Sequence, residues 1–139
     1  MEVNETEMKN ALRPLLNEEE KSLCPVFGMV RKNVKRMSHA ASEFAYMTIT
    51  SKGRFIMYRF DTNTSYTEIY LLSTLIFGEL HKPSNTGIYA AELSFLNEKG
   101  QQRDVNISIE PQPNGRTYAL PNQSRNADKL FSILQKLIP

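Results

Sequence analysis

The chain of 139 residues has one cysteine, two histidines and no tryptophan. Cys24 alone cannot form an internal disulfide, and with only His39 and His81 beside it no four-ligand zinc site of Cys and His can be assembled. Stability must therefore come from packing. No run of eighteen apolar residues occurs that could cross a membrane as a helix. The first residues, "MEVNETEMK", are acidic and lack the apolar core of a signal peptide, so a cytoplasmic protein is expected. The triplets "NET", "NTS", "NIS" and "NQS" fit the glycosylation pattern by chance and carry no weight in such a chain. A formal charge of +2 is too small to supply the broad basic field that nucleic-acid backbones require. Gly53, Gly87, Gly100 and Gly115 are dispersed as turn glycines, and no phosphate-cradling glycine cluster exists. No cofactor site is read.

What remains is an ordinary soluble composition, 40% hydrophobic and 23% charged, in a length that suits one core and one domain over residues 1–139. "TEMKNALRPLL" places Met8, Leu12, Leu15 and Leu16 at helical spacing, with Pro14 breaking the pattern. This is a helical extension over about 6–20. After it, "LCPVFGMVRK" predicts a strand over 24–32, with Pro25 tolerated at its start. The β-core is expected over about 24–120.

"EFAYMTIT" and "RFIMYRF" flank "SKG" and form a hairpin, since Gly53 can take a positive φ at no steric cost. A two-residue turn at Lys52 and Gly53 and a three-residue turn closed by a glycine bulge are both open, and they differ in register by one residue. The favoured register gathers Ala45, Met47, Ile49, Ile56, Tyr58 and Phe60 on the core face and turns Arg59 towards water. It sends Phe44, Tyr46, Phe55 and Met57 to the opposite face, which is either covered by a second sheet or the N-terminal helix, the simpler reading, or exposed as a partner surface.

Downstream, "YTEIYLL" reads as a strand, "IFGELHK" as a weaker one, "GIYAAELSFL" and "QQRDVNISIE" as a second hairpin closed at Gly100, and "RTYAL" as a last short strand. Pro111, Pro113, Asn114 and Gly115 mark a turn before it. The period then changes. Ala127, Leu130, Phe131, Leu134, Leu137 and Ile138 recur at three and four residues, predicting an amphipathic helix over about 125–138 with Ser124 as its cap. About seven strands and a covering helix make an α+β fold.

This order of elements, with "AYMTITSKGRFIMY" as the hairpin of the second and third strands and "TYALPNQSRNADKLFSILQKL" as last strand plus helix, resembles the pleckstrin-homology-like superfamily in its bacterial and GRAM-type forms. The resemblance implies a bent antiparallel β-barrel or sandwich capped by the C-terminal helix. Phe131 would stand where family members carry a plugging Trp, and the N-terminal helix would be an addition. It also implies binding without catalysis, to a protein or peptide, to anionic lipid, or by self-association.

Candidate ligand residues follow from charge. Arg31, Lys32, Lys35 and Arg36 cluster in "VRKNVKR", and the hairpin tip adds Lys52 and Arg54. Lys and Arg donors converging from two elements could hold a phosphate or an anionic membrane surface. Four basic side chains at such a surface contribute about 4 kcal/mol together, corresponding to affinity of about 1 mM, so the patch alone is weak. Cys24 beside Pro25 and Val26 reads as a small buried apolar residue and not as a nucleophile. His39, His81 and the run Glu18, Glu19, Glu20 read as solvated. The leading expectation is a non-enzymatic module that binds a protein or peptide or associates with itself. The alternative is an anionic-ligand binder, and a small enzyme is remote.

Overall fold

The computed structural model describes residues 3–31, 42–61, 63–83, 87–111 and 118–139. Lys32, Lys35, Arg36 and His39, and Pro113, Asn114 and Gly115 of the expected turn, lie outside them. In chain order the elements are β1 (Val3–Asn4), α1 (Glu5–Leu12), β2 (Val26–Arg31), β3 (Ser42–Ile49), β4 (Arg54–Phe60), β5 (Ser65–Leu71), β6 (Leu75–His81), β7 (Tyr89–Leu96), β8 (Gln102–Ile109), β9 (Tyr118–Ala119) and α2 (Gln123–Leu137). Seven strands form one antiparallel sheet in the order β5-β4-β3-β2-β8-β7-β6. This is the α+β arrangement that the periodicities predict.

Both hairpin turns are the three-residue kind. Thr50 donates its N–H to the Arg54 carbonyl and Asn97 donates to Gln101, and Gly53 and Gly100 each sit at φ +73°. The register therefore pairs Met47 with Met57 and Ile49 with Phe55, which overturns the favoured two-residue register and its face assignment. Ala45, Met47, Ile49, Phe55 and Met57 belong to the main core, whereas Tyr46 and Ile56 belong to a second one with Phe44, Tyr58 and Phe60 packed against it. Arg59, expected in water, lies on the inner face and is 7% exposed. The one-residue slip moved every side chain of β4 across the sheet.

The sheet curls into two layers. Tyr70 on β5 stacks on Phe95 of β7 with ring centroids 4.7 Å apart, although five strand-to-strand steps separate the two strands in the sheet order. In a flat sheet that separation would be about 24 Å. β2 serves both layers, and Gly28 permits the turn between them: a Cβ there would lie 2.5 Å from the Ser108 carbonyl oxygen and 2.7 Å from Met47 Cε.

Helix α2 packs on the inner core through Ala127, Leu130, Phe131 and Leu134, all fully buried. Fully burying the three larger side chains contributes about 1.5 to 3 kcal/mol each. Phe131 meets Tyr89 edge to face at 4.9 Å. Ser124 is not the cap. The helix begins at Gln123 after Asn122, and no side chain caps it. Instead the buried Gln123 amide docks on β2 where β8 is no longer paired with it: Phe27 N–H donates to Gln123 Oε1 at 3.1 Å, and Gln123 Nε2 donates to the Phe27 carbonyl at 2.6 Å and to that of Glu110 at 3.1 Å. One side chain thus continues the ladder in place of a strand.

Helix α1 covers the outer aromatic face. Asn4 Oδ1 accepts the Glu7 N–H at 2.8 Å and starts the helix, and Pro14 falls in a 3-10 turn over Arg13–Leu15 that ends it. Met8 and Leu12 pack in the second core with Phe27, Tyr46 and Ile56. The apolar strip formed by Phe44 and Tyr46 is thus roofed. Of "RTYAL", Tyr118 and Ala119 form β9, which pairs in parallel with β1 outside the main sheet; among the described residues the last strand before α2 in the main sheet is β8.

Replacing Gln123 with Leu removes its hydrogen bonds to the Phe27 N–H and carbonyl while keeping the volume, and is expected to lower unfolding free energy by about 2 to 4 kcal/mol in urea titrations. Ser124→Ala, at a position that caps nothing, should change it by less than about 0.5 kcal/mol.

Candidate functional site

Of the basic residues expected to act together, Arg31 is placed at one end of β3 and Lys52 and Arg54 at the other. Arg31 pairs with Ser42 at one end, whereas the bridge between Ser22 and Thr50 marks the other end, where Lys52 and Arg54 lie. The eight residues of strand between Ser42 and Thr50 span about 26 Å. Lys52 Nζ donates to the Glu18 carbonyl at 2.9 Å. Arg54 is committed to Glu20: its Nε donates to Glu20 Oε2 at 2.8 Å, its Nη2 reaches Oε1, and Thr50 donates its hydroxyl to the same carboxylate. Glu20 is 7% exposed, so the expectation of a solvated Glu18, Glu19 and Glu20 run fails at its last member. Arg54 is thus committed within the fold, and Lys32, Lys35 and Arg36 lie outside the described residues.

Cys24 is fully buried, and burial pushes its thiol above the ordinary range, as suits a packed apolar residue. His81 stands exposed at the end of β6, 3.5 Å from the Glu79 carboxylate. Among the described residues no three of His, Cys, Asp and Glu gather as metal ligands would.

A different region has the shape of a binding site. A groove of about 760 Å³ runs between β5 and the β7–β8 hairpin, lined by Glu68, Tyr70 and Leu71 on one side and by Leu96, Lys99 and Arg103 on the other. β5 is the last strand at its end of the sheet. Its ladder with β4 is bracketed by the Leu72 N–H donating to the Gly53 carbonyl at 2.9 Å and the Asp61 N–H donating to Thr64 at 3.0 Å. Bonded and non-bonded pairs alternate in an antiparallel ladder, so Tyr66, Glu68 and Tyr70 exchange bonds with β4. Ser65, Thr67, Ile69 and Leu71 then turn their N–H and C=O groups to the free edge. The Leu71 carbonyl is taken by the Thr74 hydroxyl at 2.7 Å.

Among the described residues, that edge lacks the usual guards. Bulges, prolines, outward charges or a covering element normally keep a free strand from pairing. On β5 the side chains beside the free groups are Ser65, Thr67, Ile69 and Leu71, none of them charged, and Ile69 and Leu71 are 43% and 52% exposed. The one carboxylate, Glu68, faces inward and is held by Arg59 Nη1 and the Tyr70 hydroxyl. Arg59 also donates to Glu43 Oε1 at 3.3 Å and lies 5.1 Å from the Tyr66 ring centroid. Burial, reinforced by Glu68, pushes the Tyr70 hydroxyl far above its ordinary range, so it stays a donor.

The opposite edge, β6, is managed. Its register slips between Leu75 and Phe77, and Gly78 lies under Ile138, whose Cδ1 and Cγ1 would be 2.7 Å from any Cβ there. Ile138 thus packs on the face of β6 and the slip interrupts its ladder, whereas β5 runs without such a break. Sequence reading marked "YTEIYLL" as a strand. Nothing in it marked the strand as terminal in its sheet.

The Glu20–Arg54 pair yields a pH dependence. Hydrogen bonding to Arg54, opposed by burial, holds the Glu20 carboxyl at about 2, below its ordinary 4.5. A lowered folded-state value means stabilisation is complete above pH 4.5 and is lost as pH falls towards 2. Urea titrations across that window should show this slope, and Glu20→Gln should flatten it while costing about 3 kcal/mol at neutral pH.

No protein-family model matches the chain. No curated protein matches it in sequence. Among solved structures it is similar to the hSac2 domain from the human phosphoinositide phosphatase Sac2, at 12% identity and a TM-score of 0.53, over 95% of this chain and 77% of that one. At this identity the likeness concerns the fold alone.

Proposed function

We propose that this chain is a non-enzymatic binding module of the pleckstrin-homology-like kind that docks an extended segment of a partner protein along β5. The observation that carries the reading is the unguarded edge: Ser65, Thr67 and Ile69 offer N–H and C=O groups in line beside a groove with exposed Ile69, Leu71 and Leu96. An added strand gains main-chain hydrogen bonds from the edge and specificity from alternate side chains. The kinship is supported by the succession of a four-strand meander, a three-strand meander and a covering helix, with β2 paired to β8. The absence of catalysis is supported by the burial of Cys24 and by the commitment of Arg59 and Glu68 to each other.

Panning a displayed library of random linear peptides on the protein, followed by amide chemical-shift mapping with the enriched peptides, tests the reading. Shifts are expected to concentrate at Ser65, Thr67, Ile69 and Leu71. Thr67→Pro removes an N–H that faces outward and spares the β4 ladder, so it should preserve folding and weaken binding by at least about tenfold. Peptides that map elsewhere, no enriched peptide at all, or a stable homodimer joined through β5 would contradict the proposal.

A further inference from the structure

Resting on that reading, we infer that the docked segment is acidic on one side and apolar on the other: it presents a carboxylate to Arg103 and Lys99, alternating with apolar side chains laid beside Ile69 and Leu71. The register sets the geometry. A strand added to β5 lies about 4.8 Å beyond it and sends successive side chains to opposite faces. On the outer face its neighbours are Thr67, Ile69 and Leu71, so uncharged and apolar side chains fit there. On the inner face it meets the wall formed by the β7–β8 hairpin.

Arg103 is directly opposite Phe95 in that hairpin and therefore shares its inward face. Phe95 in turn carries the Tyr70 ring of β5, which brings Arg103 beside the strand whose edge is free. Arg103 Nη2 donates only to Gln101 Oε1, at 3.3 Å, and among the described residues neither Arg103 nor Lys99 has a carboxylate within 4 Å. Glu68 cannot serve them, because Arg59 and Tyr70 occupy its two oxygens. Glu98 is the remaining carboxylate in the wall, so Lys99 and Arg103 leave it with one positive charge in excess. A guanidinium with free donors at the side of a strand-shaped groove calls for a planar, doubly accepting group, and a carboxylate is the one that a peptide supplies.

Two end-blocked synthetic peptides, one alternating valine with glutamate and the other valine with lysine, make the test. The glutamate peptide is expected to bind the wild-type protein at least about tenfold more tightly than the lysine peptide, the worth of one charge-assisted hydrogen bond. Arg103→Glu should reverse that order, and Arg103→Gln should abolish the preference; Arg103 is on the surface, and far-ultraviolet dichroism checks that the variants fold. Added salt should weaken the glutamate peptide selectively. Equal binding of both peptides at β5, unchanged by either variant, overturns this inference and leaves strand docking standing. Absence of shifts on β5 with both peptides overturns the two together, and Thr67→Pro separates the cases because it removes the edge without touching the charge.

Discussion

The stacking of Tyr70 on Phe95 joins a strand at one end of the sheet to a strand next to the other end, and much of the molecule follows from the curl that allows it. The curl needs close approach of β2 and β8, which Gly28 permits because a Cβ would meet the Ser108 carbonyl oxygen at 2.5 Å. Where the strands part, the Phe27 backbone no longer faces β8. Gln123 bonds its N–H and carbonyl there and in doing so fixes the start of α2 on the sheet. The burial of Leu130, Phe131 and Leu134 then fills the space between the layers. Bend, amide clamp and helix form one structural solution to covering the inner face of a small sheet, while α1 covers the outer one.

A curled sheet that does not close has two edges, and here they are treated differently. β6 is interrupted by a slipped register, and Ile138 packs over its face at Gly78. β5 keeps a row of outward main-chain groups beside a groove, with its single carboxylate turned inward onto Arg59. The Arg59, Glu43 and Glu68 cluster thus has a consequence at the edge: by neutralising Glu68 it removes the charge that would repel an incoming strand. The likeness to the hSac2 domain concerns architecture and says nothing about this edge.

The elements were legible because their signals are local. Period-two runs marked β3, β4, β7 and β8, the change to a period of three and four marked α2, and Pro14 marked the end of α1. The hairpin register was not legible, since Lys52 and Gly53 suit either turn and both faces of β4 carry large apolar side chains. That second apolar face exists because α1 packs on it, a contact between distant parts of the chain. The candidate site was hidden for the same reason: that β5 is terminal in the sheet depends on the pairing of β2 with β8 and on the curl, neither of which is encoded in "YTEIYLL" itself. Charge clustering, by contrast, pointed to Arg31, Lys52 and Arg54 without showing that strand direction sets them far apart and that Glu20 claims Arg54.

The open edge of β5 is the claim on which the functional account stands, and native-state amide hydrogen exchange on the free protein reads it residue by residue. Tyr66, Glu68 and Tyr70, whose amides point to β4, should exchange slowly, while Thr67 and Ile69 between them exchange fast. Uniform protection along the strand would mean that the edge is already paired, and would contradict the account.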